Sequence, residues 1–84
     1  MNVSSEIEAR LQMAFAPAEL EVENESHKHA GHAGDDGSGE SHFRVRIRAA
    51  AFEGMSRVKR HRAVHKALGD IVPRIHALAL DIGA

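Results

Sequence analysis

Apolar side chains along this chain follow two rhythms, one of nearly four residues and one of two. Ile7, Leu11, Ala14 and Phe15 fall at i, i+4, i+7 and i+8, one stripe of a short helix. Ser5-Glu6-Ile7-Glu8 reads as a capping box, with Ser5 as N-cap and Glu8 as its reciprocal partner. Pro17 ends that helix. From Glu19 the period drops to two. Leu20 and Val22 alternate with Glu19, Glu21 and Glu23, and later Phe43, Val45 and Ile47 alternate with Arg44, Arg46 and Arg48. Both runs predict strands with one face on a core and one face in water. Ser56 caps a helical stretch through Val58, Val64, Leu68 and Ile71. The pattern is interrupted around His61, so two helices are expected, and Pro73 stops the second. Ile75 to Leu80 closes the series as a mostly apolar strand.

The element order is therefore αββααβ. Two strands form a hairpin, a helical crossover succeeds them, and the third strand runs parallel to the second. With all helices on one sheet face, this is an α+β two-layer fold with a three-stranded mixed sheet. Length fits one domain over residues 1–84: a chain of 84 residues buries roughly 60–65% of its unfolded surface and holds a single small core. No internal repeat appears.

Cysteine is absent, which excludes disulfides, thiol catalysis and an iron–sulfur cluster held by this chain alone. No convincing Ser-His-carboxylate arrangement is present, so an enzyme is not expected. The N-terminal residues lack a basic n-region and an apolar h-region, and no run approaches the ~20 apolar residues that span a bilayer. A cytoplasmic protein that does not engage membranes is expected.

A formal net charge of −1 conceals a division along the chain: residues 1–40 carry net −7 and residues 41–66 net +7. In an antiparallel hairpin the glutamates of the first strand oppose Arg44, Arg46 and Arg48, pairs worth about 0.2–1 kcal/mol each. Arg57, Lys59, Arg60, Arg62 and Lys66 on the crossover helix are left without such partners and make a nucleic-acid contact surface the alternative reading.

Seven histidines are the remaining compositional signal. His27, His29 and His32 sit in a long Gly-rich hairpin connection, residues 26–41, and His42 stands just past it. Loops of this length in small domains are usually functional or disordered. Topology brings the start of the second strand, the start of the third and this loop to the same end of the sheet. The loop histidines, His42 and His76 are thus expected to gather there. Clustered imidazoles suit Zn, Ni, Cu and Fe, and metal buffering by the loop is one reading. His61 and His65 are an i, i+4 pair, but Arg62 stands where a zinc protease needs Glu, which favours a structural or electrostatic role. The GxxG strings at 31–34 and 34–37 lie in the hairpin loop rather than between helices, and the second carries two acids, which unfits them as a phosphate clamp.

LEVENESHKHAGH, GESHFRVRI, FEGMSRVKRHRAVHKAL and HALAL, in that order, closely resemble the BolA family over roughly residues 5–82. The resemblance implies a fold similar to a class II KH domain. It also implies an adaptor role in iron–sulfur metabolism, the partner being a monothiol glutaredoxin of the CGFS type. The pair would hold a bridging [2Fe–2S] cluster, sulfur coming from glutaredoxin and glutathione and nitrogen from this chain. By the resemblance the nitrogen ligands are His76 and His29, with His27 and His32 as loop alternates. Imidazole ligation of such a cluster has a precedent in Rieske centres. Only neutral imidazole ligates, so cluster binding is expected to weaken as pH falls through the histidine pKa. The isolated chain is expected to hold no cofactor and to be a monomer or weak homodimer. Some relatives are described as transcription regulators, which makes DNA a second expected partner through the Arg57–Lys66 helix.

Overall fold

In the computed structural model, which describes residues 2–26 and 41–84, helix α1 spans Val3–Phe15. Its N-cap is Asn2, whose Oδ1 accepts from the Ser5 amide at 2.8 Å. This corrects the capping box expected at Ser5 and Glu8. Starting three residues earlier puts Val3 on the stripe with Ile7 and Leu11, all buried, whereas Ala14 is exposed. Burial of Val3 is what favours the earlier start. The helix stops at Phe15, and Ala16 takes a left-handed conformation (φ 45°) with its amide bonded to the Gln12 carbonyl.

Strand β1 (Glu19–Asn24) pairs antiparallel with β2 (His42–Arg48), and β2 pairs parallel with β3 (Ala77–Gly83), giving the order β1-β2-β3. The expected alternation is observed. Phe43, Val45 and Ile47 are buried beneath the helices, flanked by half-buried Leu20 and Val22 on one side and Leu78, Leu80 and Ile82 on the other. On the opposite face Glu19 is aligned with Arg48, Glu21 with Arg46 and Glu23 with Arg44, as the charge pattern predicts. The ion pairs run diagonally, though. Arg46 reaches Glu19 at 3.4 Å, Arg44 reaches Glu25 at 3.2 Å, and Arg48 turns to Asp81 on β3 at 3.0 Å.

After β2 a 3-10 turn, Ala50–Phe52, drives Phe52 into the core, where its ring lies 4.7 Å from that of Phe15. This contact has no periodic signature. Helix α2 covers Arg57–Leu68, with Ser56 Oγ accepting from the Lys59 amide at 3.2 Å, the N-cap expected from sequence. It runs unbroken through His61. The break comes at Gly69, where φ is +52°, and the chain continues as a 3-10 segment, Gly69–Arg74, that contains Pro73. A glycine accepts a positive φ at little cost, so the helix ends there and not at the polar interruption. Val64, Leu68 and Ile71 are buried, but Val58 is 58% exposed and does not belong to the core.

The Gly69–Arg74 segment is clamped by α1. Arg10 Nη1 donates to the Leu68 carbonyl at 2.6 Å, satisfying an orphan acceptor at the end of α2, and to Asp70 Oδ1 at 2.7 Å. Arg74 forms a two-pronged contact with Glu6, at 3.1 and 2.9 Å. The Arg74 hydrogen bonds hold the Glu6 carboxyl below its ordinary pKa, and Arg10 does the same for Asp70. Two residues beyond Arg74 the chain reaches His76 and β3.

Candidate metal-ligand site at one end of the sheet

Parallel pairing of β2 and β3 places their first residues side by side: His42 is aligned with Ala77. His76 lies immediately ahead of β3 rather than within the strand expected from Ile75, and its side chain is exposed. Its position is set by the backbone. Ser41 O accepts from both the His76 amide, at 2.7 Å, and the Ala77 amide, at 3.0 Å. The rings of His42 and His76 are 5.4 Å apart, tilted by 44°. The expected meeting of these two histidines, 34 positions apart in sequence, is therefore observed.

A buried pair of serines fixes the floor of this site. Ser26 Oγ accepts from the Ser41 amide at 2.8 Å and from the His42 amide at 3.0 Å. Its own backbone nitrogen donates to Asn24 Oδ1 at 2.9 Å. Ser41 Oγ lies 2.7 Å from His42 Nδ1. His42 is 7% exposed and Ser41 fully buried. One residue, Ser41, thus holds the His42 ring by its hydroxyl and the His76 main chain by its carbonyl. A hydrogen bond at one ring nitrogen selects the tautomer of an imidazole, the usual arrangement behind a histidine that ligates through the other nitrogen. Nothing in the sequence pattern marks Ser26 or Ser41; only the closed hairpin base reveals them.

His29, His27 and His32 lie outside the described residues, between Ser26 and Ser41. Among the described residues no three His, Asp or Glu side chains gather as a metal cage. The chemistry available at this end is that of an exposed borderline nitrogen donor beside a buried, oriented one, with further ligands needed from elsewhere.

The basic residues of the alternative surface lie along α2. Arg57, Lys59, Arg62 and Lys66 are exposed and make no ion pair among the described residues. Arg60 differs. Its Nε donates to the Phe52 carbonyl at 3.1 Å and Nη1 reaches the Ile82 carbonyl at 3.5 Å, so it ties α2 to its neighbours. His61 and His65 share this side of the helix with Arg57 and Arg62. Among the described residues no helix is long and apolar enough to cross a membrane.

Comparison with known proteins agrees with this architecture. The sequence profile described as "BolA-like protein" matches residues 11–84. BolA-like protein 1 of Mus musculus is 46% identical over 80 residues, covering 94% of this chain and 56% of the mouse protein. The chain thus spans little more than half of that relative. A Haemophilus influenzae protein named DNA-binding transcriptional regulator BolA is 37% identical over 83 residues, 98% of this chain and 77% of its own length. Among solved structures, BolA1 from Arabidopsis thaliana superposes with a TM-score of 0.87 at 41% identity, covering 99% of this chain and 92% of that one.

Proposed function

Since the chain belongs to the BolA-like family, we propose that it is a non-enzymatic adaptor that lends imidazole ligands to a [2Fe–2S] cluster shared with a monothiol glutaredoxin. The observation that supports this reading most directly is the His42–His76 end of the sheet. There the backbone of His76, whose imidazole is exposed, is fixed by main-chain hydrogen bonds to Ser41 at the base of the hairpin. A chain without cysteine has no thiolate ligands of its own, and a pair of imidazole ligands leaves the remaining coordination positions for a partner's thiolates. His76 serves as the fixed ligand, with His29 from the loop as the second and His27 and His32 as its alternates. The cluster is cargo of the pair, and this chain's part is to present nitrogen donors in a set geometry. A cytoplasmic location belongs to the same proposal.

The test is to mix the protein with a CGFS glutaredoxin, glutathione, iron and sulfide. A coloured heterodimer should form whose visible circular dichroism differs from that of the glutaredoxin homodimer. His76→Ala should abolish the difference, and a spectrum untouched by that change sinks the assignment. Single replacements of His29, His27 and His32 then identify the loop ligand.

A second reading, binding to DNA, is favoured by the open cations of α2 and by the name of the Haemophilus relative. Phosphate contacts of this kind give an affinity that falls steeply with salt. Neutralising Arg57 and Arg62 should flatten that slope, and an unchanged slope removes α2 as the contact surface.

A further inference from the structure

Away from the histidine end, a cleft of about 400 Å³ opens between the first turns of α2 and the second half of β3. Arg57, Arg60 and His61 line one wall, and Leu80, Asp81 and Ile82 the other. We propose that this cleft binds the phosphate group of a phosphate ester, with the organic portion of the ligand resting on Leu80 and Ile82.

Three observations carry the assignment. The first is convergence. Arg57 and Arg60 are three residues apart and Arg57 and His61 four, so all three project from one side of the helix into one cleft. Arg60 is already immobilised by the Phe52 and Ile82 carbonyls, while its Nη2 enters neither bond, so a guanidinium donor is in place before any ligand arrives. The second is the charge balance. Among the described residues Asp81 is the one carboxylate lining the cleft, and its Oδ1 is met by Arg48 Nη2 at 3.0 Å. The positive charge of Arg57 and Arg60 is left for the ligand. The third is a local conflict. The first turn of α2 has no acidic residue and carries Arg57, Lys59 and Arg60 instead, cations at the positive end of the helix dipole. Such an arrangement opposes helix formation, and a bound dianion offsets it. Places where a sequence breaks local rules are where sites are built.

The half-buried Leu80 and Ile82 favour an ester over bare phosphate, because they offer an apolar surface to a base or sugar. The volume suits a small molecule or one nucleotide of a strand. This proposal stands apart from the cluster reading: none of its residues lies at the His42–His76 end, and His76→Ala should leave it intact. It shares Arg57 with the DNA reading and rests on that reading only if a strand phosphodiester proves to be the ligand.

The test is an amide-resolved NMR titration of the full chain with ADP, with inorganic pyrophosphate and with a short single-stranded thymidine oligonucleotide. Saturable shifts below about 1 mM, confined to residues 57–61 and 80–82, are expected for ADP or for the oligonucleotide. Pyrophosphate should bind more weakly than either. ADP alone saturating identifies a free nucleotide as the source, and the oligonucleotide alone identifies a strand phosphodiester. Arg57→Gln should weaken binding about tenfold and Arg57→Lys less. Arg57 is exposed and outside the core, so amide shifts elsewhere in these variants should stay in place. Linear, unsaturated shifts spread along the whole of α2, or equal binding by the Gln variant, would overturn the proposal.

Discussion

The sheet and α2 both carry several cations and treat them in opposite ways. On the sheet each arginine of β2 has a carboxylate within ion-pair distance, drawn from β1, from Glu25 or from β3. At the end of that sheet the polar groups of Ser26, Ser41 and His42 close on one another, and among the described residues no buried side-chain nitrogen or oxygen lacks a partner. On α2, by contrast, Arg57, Lys59, Arg62 and Lys66 stand in water, with no ion-pair partner among the described residues. A basic residue in the sequence thus says little until its partner is located. The sheet's arginines are part of the fold, and the helix's cations are available to something else.

Ser26→Ala attacks the closed region where it is tightest. Two backbone amides lose their acceptor in a buried setting, so unfolding free energy should fall by about 2–3 kcal/mol. Urea denaturation with an unchanged m-value measures it, and a loss below about 0.5 kcal/mol would mean that water replaces the hydroxyl without penalty. Arg46→Gln probes the exposed part of the same region. Its pair with Glu19 is solvent-accessible, so the same measurement should register a loss of only about 0.2–1 kcal/mol, smaller still in high salt.

Lys59→Glu tests the open region and carries the opposite sign. With Ser56 as N-cap, a glutamate at this position completes a capping box and relieves the clash with the dipole. Stability should rise, by about 0.3–1 kcal/mol, while any anion affinity of α2 declines. A destabilised variant would show that Lys59 has a structural partner, and the contrast between helix and sheet would blur.

Much of this contrast is legible in the sequence. Alternating Glu and Arg runs carry their own register, because a period of two fixes both the buried face and the charged one. The meeting of His42 and His76 comes from topology alone, since a parallel third strand must start beside the second. Features decided by single contacts are not carried by the pattern. Asn2 displaces Ser5 as cap because it brings Val3 into the core. Arg48 leaves the β1 glutamates for Asp81, a choice between acceptors on both sides of a central strand. The end of α2 at Gly69 depends on one glycine's positive φ, and the polar residues near His61 belong to a wide wet face rather than to a break. Ser26 and Ser41 are invisible for the same reason: a single serine just outside a strand has no period.

The clamp of α1 on the Gly69–Arg74 segment has a consequence for how the molecule assembles. Arg10 meets Asp70 across 60 positions and Glu6 meets Arg74 across 68. During synthesis α1 leaves the ribosome long before its partners exist, and it must wait, amphipathic and unsupported, until they arrive. Contacts of such high sequence separation carry a large loop-closure cost, and topologies rich in them fold slowly. The turn that delivers His76 is therefore tied to the docking of α1, and a chain in which α1 has come away lacks the Arg10 and Glu6 contacts that hold that turn.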